Sequence, residues 1–235
     1  MVFRFKEFSV EHGRSTQRVT TDSVLLGSWL EAPSGSSAIL DVGTGCGLLA
    51  LMCAQKCSAA RIEAIDIDSN SVDECGKNFR SSPWTDRLRV YNRDFQDVSG
   101  SYDLIVSNPP YFDENTLSPS ERRNRARHSR GLTIASLIGR GVGMLNPGGS
   151  IALVCPASKE REVRAEAVMG GLRGVRECRV AAVEGREPSL LMFQLYKDES
   201  ESGVDNLAIK TAGGYYTVEY KELTKPFYLF LNEQH

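Results

Sequence analysis

The sequence predicts an α/β protein: a doubly wound, mostly parallel seven-stranded sheet with helices on both faces and an antiparallel pair of strands at one edge. Three observations predict it. Short β-rich runs alternate with helical stretches through the middle of the chain, the pattern of a parallel sheet joined by crossover helices. A glycine-rich turn follows the first of those runs. The last two apolar runs are joined only by a short turn containing Gly185-Arg186-Glu187-Pro188, too short for a crossover, so they pair antiparallel.

Each element has a local reason. AILDVG, residues 38–43, is a β-rich run ending in glycine, and LLALMCAQK, residues 48–56, follows as a helix. RIEAIDI, residues 61–67, alternates as a second strand. Residues 69–82 open with a good N-cap and read as a helix, with Asp68 sharing the cap with Ser69. Residues 87–94 form a third strand and residues 102–108 a fourth. A helix over 132–145 closes in Asn-Pro-Gly-Gly, and residues 150–156 give a fifth strand. A charged helix over 159–171 precedes the final strands, 175–183 and 189–197. Residues 198–206 read as an acidic spacer, and 207–231 as a strand-and-turn appendage on the sheet edge. The chain divides into an N-terminal segment (1–37), a core (38–197) and a C-terminal appendage (198–235) of one domain.

The chain has 235 residues, of which 41% are apolar and 25% charged, so it can bury a core without staples. A formal charge of −2 excludes a polybasic tail protein but not a local nucleic-acid surface. No apolar run approaches the ~20 residues of a membrane span. The first residues lack a signal-peptide core, so a soluble, cytoplasmic protein is expected. Six cysteines show no C-x-x-C spacing and no completed zinc set. Buried, reduced thiols and no metal are expected.

Chemistry is concentrated at strand ends. Asp41-Val42-Gly43-Thr44-Gly45-Cys46-Gly47 is strand, turn, then helix, and in a doubly wound sheet this turn faces the ligand crevice. Its G-x-G-x-G spacing is tighter than the dinucleotide G-x-G-x-x-G. Asp66, ending the second strand, can accept both hydroxyls of a ribose. Asp94 ends the third strand, with Phe95 beside it as a ring to stack on a base.

Asn108-Pro109-Pro110-Tyr111 closes the fourth strand. A delocalised amine or amide nitrogen is a poor nucleophile. The Asn108 oxygen and the Pro109 carbonyl can accept its two N–H bonds and aim its lone pair. Pro110 stiffens the turn, and Tyr111 offers a face for a planar target. No general base is required. The segment that follows holds Arg122, Arg123, Arg125, Arg127, His128 and Arg130 against one acid, Glu121, and suits phosphate contacts. Near the start, Thr21 or Asp22 caps the first apolar helix.

These motifs resemble Rossmann-like, S-adenosylmethionine-dependent amino methyltransferases, and the chain as a whole resembles the bacterial tRNA1(Val) adenine-N6 methyltransferases. The likeness is carried by residues 19–27 (VTTDSVLLG), 39–52 (ILDVGTGCGLLALM), 82–87 (SPWTDR), 107–112 (SNPPYF), 125–128 (RARH), 145–149 (LNPGG) and 216–229. It implies a cofactor site of Asp41, Gly43, Thr44, Gly45, Asp66, Asp94 and Phe95. It implies further that Arg18, Thr21 and Asp22 lie over the cofactor's amino-acid end, and that Asn108, Pro109, Pro110 and Tyr111 hold the target. The implied reaction is methyl transfer to N6 of adenine 37 in tRNA, with no membrane and no obligatory protein partner. Competing readings are a glutamine-N5 methyltransferase acting on a release factor, a ribosomal RNA adenine-N6 or guanine-N2 enzyme, and a binding module without catalysis.

Overall fold

A computed structural model describes residues 1–13, 15, 19–110, 132–200 and 202–229. The chain opens with a short hairpin, β1 (Val2–Arg4) and β2 (Ser9–Glu11), and the helix α1 (Thr21–Trp29). The alternating core follows: β3 (Ala38–Val42), α2 (Leu48–Lys56), β4 (Arg61–Asp66), α3 (Ser69–Arg80), β5 (Leu88–Asn92) and β6 (Tyr102–Ser107). After β6 come α4 (Ile134–Val142), β7 (Leu145–Pro156), α5 (Glu160–Met169), β8 (Gly174–Val183), β9 (Leu190–Tyr196), β10 (Gly203–Lys210) and α6 (Val218–Thr224).

Among the described residues the main sheet runs β10-β8-β9-β7-β6-β3-β4-β5. It is parallel except at β9, which lies antiparallel between β7 and β8. The antiparallel hairpin is therefore present, and an eighth strand, β10, extends the sheet beyond it. The first half of β10, residues 203–206, comes from the segment expected to be a spacer, and its second half, 207–210, from the appendage expected on the sheet edge, which goes on to form the helix α6 as well as a strand. The first four residues of β10 are exposed, and Leu207 is the first to be buried, so its sequence lacks the apolar alternation that marks a strand. Pairing to β8 and a bond from Trp29 Nε1 to Asp205 (3.0 Å) hold it instead.

Period-2 alternation divides the core into two layers. Ile39, Leu104 and Val106 face one side with α1, α2 and α3; Leu40, Val42 and Ile105 face the other with α4 and α5. Ile39 and Leu40 are fully buried, each stabilising the fold by roughly 1.5–3 kcal/mol relative to exposure. All six cysteines are free and buried. Burial pushes the thiols of Cys46 and Cys155 up to about 12, well away from reactivity.

Two boundaries differ from expectation. α4 stops at Val142, and Asn-Pro-Gly-Gly lies within β7, where the register against β6 shifts between Tyr102 and Leu104. Gly148, in that stretch of β7, has φ +73°. The N-cap of α1 is Thr20, which accepts from Ser23 N; Thr21 and Asp22 form the first turn instead. The tail closes on the N-terminus: α6 packs on α1 and β10, and Lys6 N donates to Phe227 O (2.8 Å).

Candidate active site

The chain lays β4 and β5 on one side of β3 and then crosses to place β6 on the other. This is the topological switch point, where open α/β sheets bind ligands beyond the strands' carboxyl ends. The Gly43–Gly47 loop and Asn108-Pro109-Pro110 leave the sheet there from adjacent strands. Ser107 Oγ, fully buried, donates to the Val42 carbonyl (2.8 Å) and ties the two exits together.

The loop's shape follows from its glycines. Gly43, Gly45 and Gly47 have φ of +69°, +55° and +87°, conformations that a side chain disfavours. The N–H groups of Gly43 and Thr44 both donate to the Ile65 carbonyl (3.0 Å each), folding the loop across the end of β4. Asp41 is fully buried beneath it. One carboxylate oxygen accepts from Thr44 Oγ1 (2.6 Å) and Ala50 N (3.1 Å). The other, Oδ1, is buried with no hydrogen-bond partner among the described residues. Burial outweighs those two bonds and pushes the acid up to about 7.

Asp66 sits at the end of β4 as expected, and it also holds the loop. Its Oδ2 accepts from Gly45 N (2.9 Å) and its Oδ1 from Asp68 N (2.9 Å). Burial raises its acid above the usual range. Asp68 caps α3, accepting from Asn70 N and Ser71 N. Asp94 lies half-buried beyond β5 and accepts from Gln96 N (2.9 Å). Phe95 is only 4% exposed, within the layer shared with α4, and Arg140 Nε donates to its carbonyl (2.9 Å). Its ring therefore anchors the turn that presents Asp94 and offers a base little more than a rim.

Asn108 is 8% exposed, and its amide nitrogen donates to Ser23 Oγ on α1 (2.9 Å). Pro109 is buried and Pro110 half-buried beside it. Thr21 is exposed and Asp22 half-buried in the first turn of the same helix. The structure thus brings Asp41, Gly43, Thr44, Gly45, Asp66, Asp94, Asn108, Pro109 and Pro110 to one end of the sheet. Arg18, Tyr111, Arg122, Arg123, Arg125, Arg127, His128 and Arg130 lie outside the described residues.

Sequence reasoning missed three supporting side chains. Ser107 is one and Ser23 another. The third is Asn78 on α3, which donates to the Cys46 carbonyl (2.8 Å) and the Glu11 carbonyl (2.9 Å) and accepts from Glu11 N (2.8 Å). A small polar residue in an otherwise apolar run, as at Ser23 and Ser107, is the one signal that marks such positions.

Known proteins bear on this arrangement in three ways. Residues 14–181 match the model of the methyltransferase small domain. Among solved structures, the chain superposes on one described as a predicted O-methyltransferase from Agrobacterium tumefaciens, with a TM-score of 0.68 at 16% identity, covering 88% of this chain and 96% of that one. At that identity the likeness shows the fold. Curated relatives are far closer in sequence. A tRNA1(Val) (adenine(37)-N6)-methyltransferase of Tolumonas auensis is 36% identical over 97% of this chain and 96% of its own. One from Phocaeicola vulgatus is 38% identical over 97% of both chains. With such identity sustained from end to end, and with the glycine loop and the Asn-Pro-Pro turn side by side at the switch point, the chain belongs to the tRNA1(Val) (adenine(37)-N6)-methyltransferase family.

Proposed function

We propose that this protein methylates N6 of adenine 37 in tRNA1(Val), using S-adenosylmethionine. The observation that carries the reading is the juxtaposition of Asn108-Pro109-Pro110 with the Gly43–Gly47 loop through the Ser107–Val42 bond. The shared name of the full-length relatives supplies the substrate.

The site fits the cofactor. Oδ1 of Asp41 is a buried acceptor with no donor among the described residues, as a site built for a cationic ligand would leave it. Three positive-φ glycines let the backbone approach a ligand closely. Bound S-adenosylmethionine supplies a methyl group on a sulfonium, already activated for transfer. Asp66 would hold the ribose hydroxyls and Asp94 the adenine amine. Arg18, Thr21 and Asp22 would lie over the amino-acid end.

Asn108 and the Pro109 carbonyl accept the two N–H bonds of the target amine. That turns the nitrogen lone pair toward the methyl group and stabilises positive charge as it develops on nitrogen. The charged product amine is acidic, so its proton passes to water without a dedicated base. Tyr111 stacks on the adenine once it leaves its neighbours in the loop. Arg122, Arg123, Arg125, Arg127, His128 and Arg130 would contact the phosphates of the tRNA. We place the reaction in the cytoplasm, with its tRNA substrate. No helix among the described residues is long and apolar enough to cross a membrane.

Tritiated S-adenosylmethionine, incubated separately with unmodified tRNA, ribosomal RNA and a release factor, tests the reading. Label recovered as N6-methyladenosine at tRNA position 37 is expected. Label confined to ribosomal RNA or to glutamine of the release factor overturns it. Asn108→Ala should lose turnover and keep cofactor binding, and undiminished transfer would remove Asn108 from the mechanism.

A further inference from the structure

We propose that Ser23 is a positioning residue that fixes which end of the Asn108 amide meets the target amine. The inference rests on the reading that Asn108 accepts from that amine. The oxygen and nitrogen of a side-chain amide are almost equal in size, so half a turn about its terminal bond exchanges acceptor for donor with little steric consequence. An acceptor aligns the target's N–H bonds. A donor in the same place opposes them and disfavours the charge that grows on nitrogen.

Ser23 meets the nitrogen end of that amide from another element, 85 residues away in sequence. Its hydroxyl oxygen accepts from the Asn108 amide nitrogen at 2.9 Å. The same oxygen accepts from Thr20 Oγ1 (3.2 Å), while Thr20 Oγ1 accepts from Ser23 N (3.3 Å). The cap of α1 therefore directs lone pairs of Ser23 toward Asn108. Ser23 and Asn108 are 7% and 8% exposed, so water competes little for either group. α1 itself is held firmly. Val24, Leu25 and Leu26 are fully buried, and Lys56 Nζ donates to the carbonyls of Ser28 (2.9 Å) and Leu30 (2.5 Å) at its far end.

The test is steady-state methylation of tRNA by Ser23→Ala and Ser23→Thr beside the wild type, with cofactor affinity measured by calorimetry. Ser23→Ala should lower kcat about tenfold, the worth of one hydrogen bond. Its KM for tRNA and its Kd for S-adenosylmethionine should stay within twofold. Ser23→Thr keeps the hydroxyl and should recover most of kcat. A kcat within twofold of wild type for Ser23→Ala overturns the proposal. So does a parallel loss of cofactor affinity, which would mean general loosening of α1, and so does a Thr variant as impaired as the Ala variant. Asn108→Ala separates the two levels: retained turnover there sinks the catalytic reading itself, whereas lost turnover with an unaffected Ser23→Ala sinks only the role of Ser23.

Discussion

The side-chain amide of Asn78 donates to the carbonyl of Cys46 at 2.8 Å, joining α3 to the glycine loop. The same amide exchanges two bonds with the backbone of Glu11 in the N-terminal hairpin. One side chain, 2% exposed, thus fastens the hairpin and the loop to a single helix. Asn78→Ala removes the partner of the buried Cys46 carbonyl and of two half-buried backbone bonds of Glu11, and should cost about 2–4 kcal/mol of stability. Cofactor affinity should fall with it, because the loop loses its outer support. Urea unfolding and calorimetric titration with S-adenosylmethionine check both. Unchanged affinity would show that the loop holds its shape without Asn78.

Asp41 gives the cofactor-free protein a pH signature. Its acid is pushed from 3.8 up to about 7 by burial, so the native state holds a proton that the unfolded chain releases. Its contribution to stability is complete below about pH 4 and is lost as pH rises through about 7. Asp41→Asn keeps an acceptor for Thr44 and Ala50 but cannot ionise. The wild type should lose stability relative to this variant between pH 5 and 8, by a difference on the order of 2–4 kcal/mol. Parallel stability profiles across that range would contradict the assignment.

Gly47 is fixed by packing as well as by conformation. A Cβ there would meet Cys75 Sγ at 2.8 Å and Phe79 Cε1 at 2.9 Å, with φ at +87°. Gly47→Ala should destabilise by roughly 2–4 kcal/mol, combining backbone strain with overpacking. Gly35→Ala, at φ +71° but with open space around its Cβ, should cost only the backbone part, about 1 kcal/mol. Thermal unfolding of the two variants decides whether α3 packs as tightly on the loop as these distances require.

The arginine segment carries a salt prediction. If Arg122 and Arg123 each neutralise a phosphate, replacing both with Ala should raise KM for tRNA and leave kcat unchanged. The dependence of log affinity on log salt should flatten by about two. An unaltered slope would assign binding to another surface.

Much of the arrangement was legible in the residues. The β3–α2 unit was clear because apolar alternation, a glycine turn and an apolar helical run all agree over residues 38–56. Asp41, Asp66, Asp94 and Asn108 stood out because each is a polar group at or near the end of a strand-forming run. The edge strand β10 was hidden, since its paired backbone carries polar, exposed side chains. Phe95 showed its residue type but not its burial.

The sequence by itself determined the alternating elements of the core, residues 38–197, their order and the identity of the groups at the strand ends, because local propensity and hydrophobic period act over a few residues. Only the tertiary structure decided what lies between those groups. Ser23 meets Asn108, Asn78 meets Cys46 and Ser107 meets Val42 across long separations in the chain. Such bonds depend on where packed helices and neighbouring strands place a hydroxyl or amide to within a fraction of an ångström, and no local pattern encodes that placement.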